Sequence, residues 1–207
     1  MTSRELSMDP RAVRTRTALL GATKELLLHY RVDELSLSQI VKYAQVSRQA
    51  CYEHFHDKDA LILAAACEIC LPAYQAFVND IVIDETYPDQ VEWLVHHLGR
   101  YDKAVKHLIN SSVHGRLNEK ICQILTDAYL KKIFAQIEAG NPIELSEETL
   151  RDTARFLAAG TQDILIDGML RDRENDETAQ RVENVRAALE LVIGALRATG
   201  GGADIEQ

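Results

Sequence analysis

Apolar residues recur at three- and four-residue steps from one end of this chain to the other, and that period constrains the fold more than any other feature. Leu19, Thr23, Leu26, Leu27 and Tyr30 share one face of a helix that opens at Asp9-Pro10 and runs to about residue 30. Asp9 is its N-cap, and the proline sits where a missing N–H costs nothing. Ser36 with Gln39 three residues later is a capping box, and it opens a short helix carrying Leu37, Ile40, Val41 and Ala44 inward. Ser47 caps a third helix over roughly 48–54, with Ala50, Cys51 and Phe55 as its apolar face, and Asp57 caps a long fourth helix from Lys58. Pro72 removes a backbone donor inside that fourth helix, which predicts a kink near Leu71.

The pattern continues. Pro88 opens a helix that Gly99 closes, and Tyr101 to Asn110 is a short successor. Leu117, Ile121, Ile124 and Ala128 mark a helix over about 116–139 ended by Gly140-Asn141-Pro142. Ser146-Glu147-Glu148 starts the next, with two carboxylates at the positive end of its dipole. A polar hinge, Asp172 to Asp176, precedes a last helix striped by Val182, Val185, Leu189, Val192 and Leu196. Ile81-Val82-Ile83 is the one strand-like run, too short to build a sheet. The expected fold is all-α, about nine helices.

Composition narrows the class. With 46% apolar and 27% charged residues the chain reads as an ordinary globular protein. The longest uninterrupted apolar run, Ala60 to Cys67, falls far short of a bilayer span, and no apolar stretch follows Arg4, Glu5 and Asp9 as in an export signal. No membrane partner is expected, and a cytoplasmic location is. Four cysteines, Cys51, Cys67, Cys70 and Cys122, are too sparse for a disulfide scaffold. The net charge of −9 is unevenly spread: residues 11–58 hold eight basic and five acidic side chains, a net +3 that leaves −12 for the rest. A basic head on an acidic body suits a chain that meets DNA through the head alone.

Two short helices joined by a tight turn, after a first helix and before a long scaffold helix, describe a helix-turn-helix head. Ser36, Ile40, Ala44, Val46, Ser47, Tyr52, Phe55, Lys58 and Leu61, with Leu19, Leu20, Ala22, Leu26 and Leu27 upstream, resemble the DNA-binding signature of the TetR family of bacterial repressors. The detailed match covers roughly residues 16–62; beyond it, helix count, order and length agree. Three departures stand out. The family usually has glycine at the positions of Arg31, Gln45 and Gln49, and no glycine occurs from Ala22 to Leu98. Gln45 lies in the inter-helix turn, where a left-handed backbone would strain a side-chain-bearing residue. Gln49 puts a long amide on the recognition helix, so an operator sequence does not carry over from the family.

Geometry assigns the chemistry of the head. Arg48 and Gln49 are the first exposed side chains of the recognition helix, and arginine forks onto guanine as glutamine does onto adenine. Ser47 caps that helix, whose N-terminus favours phosphate. Ser36 and Ser38, opening the preceding helix, can donate to phosphates. Tyr52, His54 and Lys58 resemble the family's phosphate-contacting positions. On composition alone all eight read as solvated polar residues.

For the body, the resemblance implies a homodimer whose last two helices pair with their copies, and a small-molecule inducer held inside each body. The helix after residue 146 carries the stripe Leu150, Ala154, Leu157, Thr161, Ile164 and Gly168, which serves a dimer seam or a monomer core equally well. Leu157, Thr161 and Ile164, with Val185, Leu189, Val192 and Leu196 from the last helix, are the expected interface. Tyr74, Phe77, Trp93, His97, Tyr101, His107 and Tyr129 are the candidate pocket walls, each open to the alternative of ordinary core packing. The expected divisions are a DNA-binding domain over 1–57, a ligand-binding and dimerisation domain over 58–199 and a flexible tail over 200–207.

Other readings are weaker. Cys67-x-x-Cys70 lacks the second pair a metal cluster normally needs. His96 and His97 are about 100° apart on a helix and cannot address one point. No nucleophile elbow or metalloprotease motif occurs, so neither an enzyme nor a cofactor is expected. Two alternatives stay open: a TetR-like DNA-binding or co-activator protein without a small inducer, and a helical metal-binding protein or enzyme that merely keeps the fold.

Overall fold

The computed structural model describes residues 9–83, 93–94, 96–138 and 146–170, together with 180, 183–184 and 187–188. Seven helices have defined bounds: α1 (Pro10–Leu27), α2 (Leu37–Tyr43), α3 (Arg48–His54), α4 (Lys58–Ile83), α5 (Asp102–Ile109), α6 (His114–Glu138) and α7 (Glu147–Leu170). Residues 96–99 add a further helical turn, and no strand occurs among the described residues. The protein is all-α, as its periodicity predicts. The expected helix start at Pro88, the stop at 140–142, the hinge at 172–176, most of the last helix and the tail lie outside the described residues.

The chain gathers into two compact units that one cut in the sequence does not separate. The first comprises residues up to Ile69 together with Tyr101–Leu117, and the second comprises Cys70–Arg100 and the residues from Asn118 onward. Helix α4 therefore contributes its first half to one unit and its second half to the other.

In the first unit, each short helix forms where its caps say. Asp9 accepts from the Arg11 N–H at 2.9 Å. Ser36 and Gln39 close their capping box in both directions, Ser47 Oγ accepts from the Ala50 N–H, and Asp57 accepts from the Ala60 N–H at 2.7 Å. Helix α1 ends at Leu27, a few residues before the expected stop, and Tyr30 is exposed rather than on its buried face. Leu19, Leu27, Ile40, Leu61 and Ile62 are completely buried, each such side chain worth about 1.5–3 kcal/mol of transfer free energy.

Polar ties reinforce the packing of α1, α2, α3 and α5. His107 Nδ1–H on α5 donates to the Leu27 carbonyl at 2.8 Å, satisfying one of the acceptors that the end of α1 leaves open. Lys24 pairs with Glu68 at 2.9 Å, and Ser112 donates to Asp59.

Helix α4 runs from Lys58 to Ile83 through Pro72. Its stretch Lys58–Val78 is long and apolar enough to span a bilayer by length and composition, which the count of uninterrupted apolar residues does not reveal. Sixty-one per cent of that stretch is buried inside the protein, the property of a core helix.

In the second unit, Ala73, Tyr74, Phe77 and Val78 of α4 are buried, as are Ile121, Leu125, Ala128, Tyr129 and Ile133 of α6. Helix α7 has two distinct faces. Leu150, Ala154, Leu157, Ala158, Thr161 and Leu165 are buried, whereas Phe156, Ala159, Gly160, Asp163 and Ile164 are exposed.

Candidate nucleic-acid interface

The turn between α2 and α3 is built on Gln45, whose φ of 55° places it in the left-handed region. Its N–H bonds the Lys42 carbonyl and the next N–H, of Val46, reaches back to Val41, so the backbone closes the end of α2 while reversing direction. The absence of a glycine here has the expected consequence: a side-chain-bearing residue holds the strained conformation at about 1–2 kcal/mol. Another of the three glycine-type positions, Arg31, stabilises its loop by side-chain chemistry. Its guanidinium grips Asp33 through two hydrogen bonds, and its N–H donates to Glu34. That guanidinium holds the Asp33 carboxyl below its usual range, against the opposing effect of desolvation.

Downstream of the turn, α3 buries Cys51 and, through its C-cap, Phe55. Arg16 of α1 lies over the Phe55 ring, 4.8 Å from its centroid, covering it with a cation rather than with solvent. With that face held, Arg48, Gln49 and Tyr52 are left exposed, Tyr52 at 53%, and His54 is part-buried. Ser38 is exposed at the start of α2. Ser36 and Ser47 are exposed as well, but their hydroxyls already act as caps, and Ser36 Oγ also donates to Gln39 Oε1 at 2.7 Å.

Lys58 is held differently from a lysine extended toward a phosphate. Its ammonium donates to the Val32 carbonyl at 3.0 Å and the Leu35 carbonyl at 2.9 Å. Two of its three protons thus tie the start of α4 to the loop before α2. Tyr43, at the end of α2, is 57% exposed and was not singled out by its spacing. The signal was available, since position 43 lies off the Leu37-Ile40-Val41-Ala44 face.

The candidate pocket residues are divided between the two units. Tyr74, Phe77 and Tyr129 are buried in the second unit. Burial pushes the Tyr74 phenol well above its ordinary pKa and the Tyr129 phenol up to about 12, where the Thr161 hydrogen bond opposes the rise. Trp93 in the same unit is 45% exposed and stacks on His97 with ring centroids 4.9 Å apart. Tyr101 and His107 belong to the first unit, and His107 is engaged with Leu27 there.

Of the expected interface residues, Leu157 and Thr161 lie on the buried face of α7, and Thr161 bonds the Tyr129 hydroxyl at 2.7 Å. For these two the core alternative describes their place. Ile164 is exposed, as is a residue the stripe did not include two turns earlier: Phe156, 78% exposed. Val185, Leu189, Val192 and Leu196 lie outside the described residues.

Comparison with known proteins agrees with this geometry. Residues 19–65, which contain α2, α3 and the turn between them, match the family described as bacterial regulatory proteins, tetR family. An HTH-type transcriptional repressor of Mycobacterium tuberculosis is 25% identical over 198 residues, covering 93% of this chain and 98% of that protein. Among solved structures, a TetR-family transcriptional regulator from Syntrophomonas wolfei superposes with a TM-score of 0.67 at 12% identity, covering 87% of this chain and 95% of its own. The TetR family repressor AlkX from Dietzia gives 0.53 at 17% identity, covering 89% and 96%. Residues 19–65 thus match the tetR family, and along most of its length the chain is similar in fold to solved TetR-family regulators.

Proposed function

We propose that this protein is a cytoplasmic repressor that binds a pseudo-palindromic operator as a homodimer and is released by a small molecule. The observation that carries the reading is α3: its apolar face is packed while Arg48, Gln49 and Tyr52 stand exposed on one short, capped helix. Arg48 and Gln49 read base edges, arginine at guanine and glutamine at adenine. Ser38, Tyr52 and His54 position the helix on phosphates, with Ser36 and Ser47 contributing through the helix ends they cap. Lys58 acts chiefly by fixing the loop that orients α2, and its third proton is the one available to a phosphate.

A homodimer presents two such helices, which in this class of motif sit about one DNA turn apart. The exposed Phe156 and Ile164 on α7 support a seam there, since a large apolar surface on a soluble chain marks an interaction site. The effector is held in the second unit, where Tyr74, Phe77 and Tyr129 lie buried.

The test is a mobility-shift titration against the DNA flanking the protein's own gene, at several salt concentrations. Specific binding should persist against competitor DNA, with affinity falling steeply as salt rises. Binding no tighter than to random DNA would sink the operator reading, and a specific complex that no cellular metabolite extract dissociates would sink the inducer.

A further inference from the structure

Gln162 of α7 is 5% exposed, and its Oε1 accepts no hydrogen bond. The same side chain bonds the Tyr74 phenol of α4, which is completely buried and lies close enough to the Cys70 and Cys122 thiols to feel them electrostatically. Asn118 stands one turn before Cys122 on α6, and its Oδ1 is the other buried side-chain polar atom without a partner among the described residues. Beside Gln162, Thr161 is closed off by its bond to Tyr129. Three helices of the second unit thus carry two buried phenols, the buried Cys70 and the part-buried Cys122, together with two amide oxygens without a hydrogen-bond partner. None of the buried polar residues described in either unit is charged.

Native proteins seldom leave a buried acceptor orphaned, and each exception asks for a partner. Two amide oxygens offer lone pairs and ask for N–H or O–H. A carboxylate or phosphate would meet lone pairs with lone pairs. An ammonium would be buried without a counter-charge. What remains is a neutral, largely apolar molecule that presents a hydrogen-bond donor.

We propose that Gln162 Oε1 is a donor-reading subsite of the effector site, taking the hydroxyl or amide N–H of a neutral, mostly apolar ligand. The proposal rests on the effector reading given under Proposed function. It makes Gln162 a specificity-determining residue: the rest of the site supplies apolar area, and this oxygen discriminates a molecule that donates from an isostere that does not.

The experiment follows thermal unfolding of the full chain and of Gln162→Met, which keeps the length and removes the acceptor. The probes are 1-octanol and 4-butylphenol, each compared with its methyl ether. Because Gln162→Met also removes the amide that bonds Tyr74, the melting point without probe is only the baseline, and the reading is the shift that each probe adds to it. In the wild type each hydroxyl compound should bind about tenfold more tightly than its ether, a difference of about 1.4 kcal/mol, and the variant should lose that preference. A wild type with no preference for hydroxyl over ether would overturn the proposal, and so would a Gln162→Met variant that keeps the wild type's preference.

Operator binding measured with the same probes separates this proposal from the broader reading. A hydroxyl probe that stabilises the protein yet leaves operator affinity unchanged supports the subsite and counts against ligand-driven release. Release driven equally by alcohol and ether, and equally in Gln162→Met, upholds ligand control and overturns the subsite.

Discussion

Single residues carry the head's function at three places with different physics. At Gln45 the issue is backbone strain. Gln45→Gly should stabilise the protein by up to about 1 kcal/mol, because the relief of left-handed strain exceeds the extra flexibility of the unfolded chain. Chemical denaturation reads this directly, and a loss of stability would mean that the Gln45 side chain matters more than its φ. At Lys58 the issue is burial of a paired cation. Lys58→Ala leaves the Val32 and Leu35 carbonyls without their donor and should cost about 1–3 kcal/mol, seen as a lower denaturation midpoint. Were the lysine mainly a phosphate contact, stability would hold and only the salt slope of DNA binding would fall, by about one. At Arg48 and Gln49 the issue is readout. Alanine at either should relax operator preference by about 1–3 kcal/mol per lost base contact, and a binding-site selection with each variant measures it. Unchanged base preference in Gln49→Ala would remove that side chain from the readout.

Helices are the scale at which spacing served best and then misled. The caps at Asp9, Ser36, Ser47 and Asp57 depend on residues a few positions apart, so they were legible and formed as expected. The stripe on α7 was legible too, but its partner was not. Leu150, Ala154, Leu157 and Thr161 satisfy any apolar neighbour, and the protomer's own core occupies them. Phe156, one position off that stripe, is left exposed, and the proposed seam falls there. Phe156→Asp should therefore leave the fold and its denaturation midpoint nearly unchanged while shifting sedimentation toward monomer. Operator affinity should fall with it, because two tethered heads become independent. A variant that still sediments as a dimer with full DNA affinity would move the seam off this face.

For the whole molecule, the element that matters most is α4, because it is one helix shared between two units. Its first half carries Lys58 and Glu68, tied to the head, and its second half carries Tyr74 and Phe77 in the unit proposed to hold the effector. A bias applied to one half is then a bias on the other, which is the requirement for coupling two sites. Pro72 lies just past the boundary between the two halves, where it deprives the Glu68 carbonyl of its usual helical donor. Pro72→Ala restores that bond and should stiffen the helix. Operator affinity should stay the same without effector, while effector-driven loss of affinity should shrink. Equal losses in both proteins, measured by titrating operator complexes, would rule Pro72 out as the hinge.

What the sequence determined by itself is everything that depends on neighbours along the chain: helical class, caps, the tight turn and the register of the DNA-binding signature. Those features are set by periodicity and by hydrogen bonds that span two to four residues. The left-handed turn at Gln45 was legible for the same reason, since the turn's position dictates its φ whatever residue stands there. The tertiary structure alone decided which groups separated by long stretches of chain meet. It turned Lys58 onto carbonyls some two dozen residues upstream, gave His107 to the end of α1 and assigned Tyr101 and Tyr74 to different units. It also buried Gln162 against Tyr74 with one oxygen unanswered. A hydrogen-bond donor carries no mark in sequence of which distant acceptor it will find; that choice belongs to packing, where an unpaired polar group is costly and the chain as a whole settles which groups are left unpaired.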